Sequence, residues 1–210
     1  MVNTIQKTNK KTAKKYSRIA RWYNICEYPI ERTLFQKLRA EAVSYAHKKT
    51  LEVGVGTGKN LPYYHHDIEL TAIDFSPGML HIAQEKKGEA RLKQLRLHEM
   101  DVQHLSFADN TFDTVVSTFV FCTVPDPIAG LREVYRVLKP SGKAIFLEHM
   151  KSRYGVVNVL LSMMNLVSTR LLGTSMVRET QYNIELTGFN IESVKQKVFG
   201  VFRLIVARKP

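Results

Sequence analysis

Residues 50–58 read TLEVGVGTG, and an aspartate, Asp74, follows 20 positions after Gly54 at the end of a second apolar run, ELTAID. A strand-forming run that opens into glycines at alternate positions leaves bare backbone N–H groups where a bulky ligand can approach. An acid at the next strand end is then placed to meet ribose hydroxyls. The pair predicts a strand, a glycine turn and a helix, with a nucleotide-like cofactor bound at the carboxyl ends of the strands.

Spacing narrows the choice of cofactor. A dinucleotide fingerprint requires G-x-G-x-x-G or A, and here Lys59 occupies the position of the third small residue. A phosphate-cradling loop requires G-x-x-x-x-G-K-S/T, and here Val53 replaces its first glycine and Asn60 its hydroxyl. Both NAD and ATP or GTP are therefore disfavoured. What remains is an acid, Glu52, two residues ahead of a G-x-G-x-G turn.

From residue 49 onward the pattern alternates between strand and helix, the mark of a mostly parallel sheet covered on both faces. Strands are predicted over 50–53, 69–74, 96–100, 112–118 and 143–148, with helices between them. Ser76 followed by Pro77 predicts a helix start, and a helix over 128–138 is predicted to stop at the turn KPSG, residues 139–142. Strands over 189–197 and 199–208 are too close for a crossover helix, so they must pair antiparallel. The expected fold is α/β, a Rossmann-like seven-stranded, mostly parallel sheet with a C-terminal antiparallel pair and helices on both faces.

These segments resemble, in order, the motifs of the class I S-adenosylmethionine-dependent methyltransferases. LEVGVGTG resembles the first motif, DFSPGML at 74–80 the second, and Asp101 and Val102 in HEMDVQHLSF the third. Residues 106–125 resemble the fourth strand with the loop that follows it, and LREVYRVLKPSGKAIFLEH resembles the fifth. The resemblance implies S-adenosylmethionine as cofactor. It implies contacts from Glu52, Gly54, Gly56, Gly58, Asp74, Phe75, Ser76, Met79, Asp101, Val102, Thr118 and Phe119. In that family an N-terminal segment folds over the cofactor, which adds Tyr23 to the cofactor residues and Tyr16 to the candidate catalytic ones; both also fit the apolar stripe of a first helix. His149, after the fifth strand, is the other catalytic candidate: it can take a proton near neutral pH, although it could equally cap the strand. Methyl transfer from a sulfonium needs positioning, exclusion of water and at most a base, and no metal.

Charge and hydropathy bear on the acceptor. The chain carries a formal charge of +12, and Lys7, Lys10, Lys11, Lys14, Lys15, Arg18 and Arg21 fall in a start free of acids. Five of these recur at helical spacing, so an amphipathic arm is expected, either solvated or docked on an anionic membrane. At about 1 kcal/mol per basic residue near such a surface, half of them engaged would contribute roughly 3–4 kcal/mol. Nucleic acid ranks below the membrane, because no recognition motif accompanies the charges. Residues 155–172, GVVNVLLSMMNLVSTRLL, hold one charge, Arg170, and read as a lid or interface-bound helix. The expected division is 1–48 as a basic arm and cap and 49–210 as the cofactor-binding domain, with 150–188 as a helical substrate-side insertion.

Cys26 and Cys122 are far apart and show no metal spacing, which suits a reduced, cytoplasmic setting, and the basic arm would place the chain peripherally on the inner face of the membrane. His65, His66 and Asp67 read as a connecting loop, and no metal is expected. The acceptor is expected to be small or lipid-like, with LEVGVGTGKNLPYY and TVPDP most like the bacterial phosphatidylethanolamine N-methyltransferases. Thiol and quinone methyltransferases are the alternatives. A non-catalytic module that binds nucleotide or nucleic acid is the alternative from another class.

Overall fold

Residues 34–88, 92–150, 152 and 180–210 are described by the structure, a computed structural model. The basic arm with Tyr16 and Tyr23, Cys26 and the apolar stretch 155–172 lie outside the described residues.

The strands are β1 (Lys49–Val53), β2 (Glu69–Asp74), β3 (Gln94–Glu99), β4 (Phe112–Thr118), β5 (Leu138–His149), β6 (Asn190–Lys197) and β7 (Phe202–Arg208). They form one sheet in the order β3-β2-β1-β4-β5-β7-β6. The first five pair in parallel, and β7 runs antiparallel to both β5 and β6. Only residues 198–201 separate β6 from β7, so the chain has no length for a crossover and folds back.

Alternation along each strand sends neighbouring side chains to opposite faces. Leu51, Val53, Val115, Ala144, Phe146 and Ile205 form one core with the helix α3 (Pro127–Val137) and Ile184 of α4 (Thr180–Leu186). Leu70, Ala72, Val116, Ile145, Leu147 and Leu204 form the other with Leu38, Ala42 and Val43 of α1 (Gln36–Val43). Leu80, from α2 (Pro77–Glu85), packs against that second core. At about 1.5–3 kcal/mol for each large apolar side chain buried, both faces contribute heavily to stability.

The helix starts follow their local chemistry. Ser76 has extended backbone and its hydroxyl accepts from the Met79 N–H at 3.4 Å, with Pro77 next. Asp126 plays the same part for α3, accepting from the Ala129 N–H at 3.0 Å ahead of Pro127.

Three expectations are corrected. The glycine turn leads into turns and a single 3-10 turn, Leu61–Tyr63, and not an α-helix; Pro62 and the loop at His65, His66 and Asp67 leave no uninterrupted helical run before β2. The connection from β3 to β4, residues 100–111, likewise carries no helix. Residues 139–142 lie inside β5 as a bulge: Leu138 pairs with Phe112, and the next pairing joins Lys143 to Thr114. Lys209 holds this bulge from the adjacent strand end, accepting from the Ser141 N–H at 2.9 Å and donating its own N–H to Gly142 O at 3.1 Å.

Candidate functional site

The glycine turn leaves β1 at the carboxyl edge of the sheet. Gly54 has φ +68°, and a Cβ there would stand 2.4 Å from Cγ2 of Val120 in the loop after β4, so backbone and loop meet too closely for any side chain. Gly56 has φ +55°, but the space where its Cβ would stand is open to beyond 4 Å. A Cβ at Gly58 would instead meet Leu61 and Ala83. One wall of the turn is thus packed, and the middle glycine presents bare backbone to the cleft.

Asp74 ties this turn to the next. Its Oδ2 accepts from the Gly56 N–H at 2.8 Å and its Oδ1 from the Ser76 N–H at 2.9 Å. Burial pushes its pKa up to about 6, opposed by the Ser76, Gly56 and Phe75 amides. Each oxygen keeps acceptor capacity for a further donor, which suits the hydroxyl pair of a ribose. Met79, in the first turn of α2, is buried beside this acid's loop, and Phe75 is half-buried.

Asp101, just past β3, is held by Gln103, whose amide nitrogen donates to both carboxylate oxygens at 3.0 Å. The Gln103 carbonyl in turn accepts from the Asp126 N–H at 3.0 Å, linking this acid to the start of α3. The Val102 side chain packs into the α3-side core, near Gly130. Only its backbone is left to face a ligand.

Glu52 points to the α1 side and is only 1% exposed. Its Oε1 accepts from Asn60 Nδ2 at 2.8 Å, and Asn60 also donates to Thr118 Oγ1 at 3.0 Å. Arg39, 7% exposed, donates from Nη1 to Thr118 Oγ1 at 2.8 Å and to Asn60 Oδ1 at 3.2 Å. Burial raises the Glu52 pKa to about 7, against the pull of Asn60, Tyr64 and Arg39. Tyr64 is buried and close enough to couple with Glu52, although its hydroxyl and Glu52 Oε2 do not align as a hydrogen bond. Glu52 and Thr118 therefore support the glycine turn from beneath, joined to α1 by Arg39.

Phe119, Phe35, Phe202 and His149 form a mutually packed group, with ring centroids 4.5–6.4 Å apart. The Arg39 guanidinium lies 5.0 Å from the Phe119 centroid. His149 is the last residue of β5 rather than the one after it. Burial, with Arg39 adding to it, lowers its pKa to about 4. This corrects the expectation that it takes a proton near neutral pH, because burial favours the neutral ring there.

Arg39, Asn60 and Gln103 are the residues around the candidate site that sequence reasoning missed. A signal existed for Arg39, which shares one helix face with Phe35, Ala42 and Val43, so a charge sat on an apolar stripe. His65, His66 and Asp67 do occupy a surface loop, where Lys93 also pairs with Asp67 at 3.3 Å.

Three buried carboxyls with raised pKa set a pH dependence. Glu52 and Glu148 rise to about 7 and Asp74 to about 6, so their protonated forms favour the folded chain. Their contribution is whole below the ordinary carboxylate range and is lost as pH rises through 6 to 7. Glu41, Asp113, Glu133 and Glu192, with lowered pKa, act below that window. Denaturant unfolding of the unliganded protein should show stability falling from pH 5 to pH 8, and Glu52→Gln should flatten the slope. A stability that rises across that window would contradict this.

A family described as "Methyltransferase domain" matches residues 51–146, from β1 to β5. Phosphatidylethanolamine N-methyltransferase of Cereibacter sphaeroides is 44% identical over 48% of this chain and 50% of its own. Thiol S-methyltransferase TMT1B of Rattus norvegicus is 30% identical over 76% of this chain and 67% of its own. Among solved structures, a SAM-dependent methyltransferase from Thermotoga maritima superposes with a TM-score of 0.72 at 20% identity, covering 93% of this chain and 99% of that one. The chain spans about half the length of the first curated relatives it matches.

Proposed function

The chain belongs to the S-adenosylmethionine-dependent methyltransferase family, and on that premise we propose that it methylates a small or lipid-like acceptor, the phosphatidylethanolamine amine headgroup being the best reading. S-adenosylmethionine is the cofactor, and when bound it supplies an electrophilic methyl carbon on a sulfonium. The observation that carries the cofactor assignment is the Asp74 carboxylate bridging Gly56 and Ser76 beside the open face of Gly56. Asp74 would take the ribose hydroxyls, Asp101 the adenine amino group, and Met79 and Phe75 the faces of the base. Tyr16 and Tyr23 lie outside the described residues, and their closing over the cofactor is part of the same reading.

In-line displacement asks the protein for orientation and a dry cleft. The aromatic group of Phe35, Phe119 and Phe202 supplies low polarity beside the strand ends, and neutral His149 accepts a hydrogen bond from the acceptor. A base this weak does not hold the proton of an ammonium, so an amine must arrive as its free base. That property favours a second reading, transfer to a thiol, which ionises more readily than an ammonium. The rat thiol methyltransferase, whose alignment covers 76% of this chain, supports it. Quinone carbon is the third.

The lipid reading draws on the Cereibacter relative, the basic residues 1–21 and the apolar stretch 155–172. No helix among the described residues is long and apolar enough to cross a membrane, and the basic residues 1–21 support contact with lipid at the surface. Incubation with labelled S-adenosylmethionine and separate pools of phosphatidylethanolamine, small thiols and demethylated quinones is expected to label the lipid; label only in a thiol would replace it. Deleting residues 1–15 should reduce flotation with anionic liposomes, and undiminished flotation would end the docking idea.

A further inference from the structure

We infer that Glu148 is a positioning residue of the cofactor site, whose carboxylate folds the turn after β4 and holds Val120 against Gly54 and Phe119 at the strand ends. The inference rests on the cofactor reading above.

Glu148 is the penultimate residue of β5 and is 0% exposed. It faces the α3 side of the sheet, opposite to His149, because strand side chains alternate. Its Oε1 accepts from the Val120 and Phe121 N–H groups, both at 3.0 Å, and from Ser117 Oγ at 3.4 Å. Two successive amides converging on one anionic oxygen form a nest wrapped round the carboxylate. The residue before them, Phe119, has φ +61°, a left-handed conformation that a phenylalanine rarely adopts. Its N–H continues the ladder to Leu147 O at 2.7 Å, so the chain turns abruptly from strand into nest.

The turn has two consequences for the site. The Val120 methyls come to rest where a Gly54 side chain would stand. The Phe119 ring swings to the opposite face, among Phe35, His149 and Phe202 and under Arg39. A single carboxylate thereby supports the glycine turn from one side and the aromatic wall from the other. Burial raises its pKa to about 7, against the Phe121, Val120, Ser117 and Cys122 groups that favour the anion, so its ionised form is less favourable to folding than its neutral form. A buried charge retained against that cost is explained by the geometry it imposes.

The test compares S-adenosylhomocysteine affinity by titration calorimetry with the melting temperature of the unliganded protein, both at pH 8. Glutamine is isosteric with the neutral carboxyl and keeps a carbonyl acceptor, but loses the charge that strengthens both hydrogen bonds. Glu148→Gln is expected to melt at or above the wild-type temperature while binding roughly fivefold more weakly, and Glu148→Ala to bind weaker still, by about tenfold or more. Affinity within twofold of wild type in Glu148→Gln, or affinity and melting temperature falling together, would overturn the role. If Glu148→Ala does not fold, the glutamine variant decides alone. Wild-type protein that does not bind S-adenosylhomocysteine would instead sink the cofactor reading itself.

Discussion

Replacing Asp74 by alanine is expected to weaken S-adenosylhomocysteine binding by about 2–3 kcal/mol, roughly 30- to 150-fold. Two effects add. The ribose hydroxyls lose an acceptor in a desolvated site, and the Gly56 and Ser76 N–H groups lose the carboxylate that now aligns them, at 2.8 and 2.9 Å. Asp74→Asn should fall between, since its side-chain carbonyl can serve one of those amides but not both. Unchanged affinity in the alanine variant would remove Asp74 from the site.

Gly54→Ala should cost about 2–5 kcal/mol of stability. Left-handed backbone at φ +68° costs an alanine roughly 1–2 kcal/mol. Forcing its methyl against Val120 Cγ2, 2.4 Å away, adds about 1–3 kcal/mol of overpacking. Val120→Ala in the same chain should recover part of the second contribution, because the two sites touch and are not additive. Gly56→Ala has the backbone cost without the clash, so its main effect should fall on cofactor binding. Denaturant unfolding and calorimetry of the three variants together separate these outcomes. A Gly54→Ala protein as stable as wild type would mean that the Val120 loop yields freely.

Much of the site was legible because its signals are local. The acid at the second strand end, the alternate glycines and the serine cap before Pro77 each depend on residues within a few positions, and the structure places all of them at one sheet edge. The helix expected after Gly58 was misread from the same stretch, since Pro62 was visible and its effect outweighed the analogy with strand–turn–helix units. Glu148 was passed over for His149, because a sequence shows which residues end a strand but not which of two adjacent side chains finds partners. Its partners lie 27 and 28 positions away, in the loop after β4.

Periodicity and punctuation in the chain alone determined the succession of strands and the antiparallel return of β7, because alternation and turn length act within a dozen residues, while the cofactor class followed from the resemblance of its motifs to a known family. Closure of the sheet decided the rest. Arg39 reaches Thr118 across 79 positions to join α1 to the floor of the glycine turn. The bulge in β5 is held by Lys209 from the far end of the chain. Burial, which no local pattern encodes, raises Glu52 and Glu148 to about 7 and lowers His149 to about 4. A side chain's proton affinity depends on the water it has lost, and only the folded arrangement of distant segments removes that water.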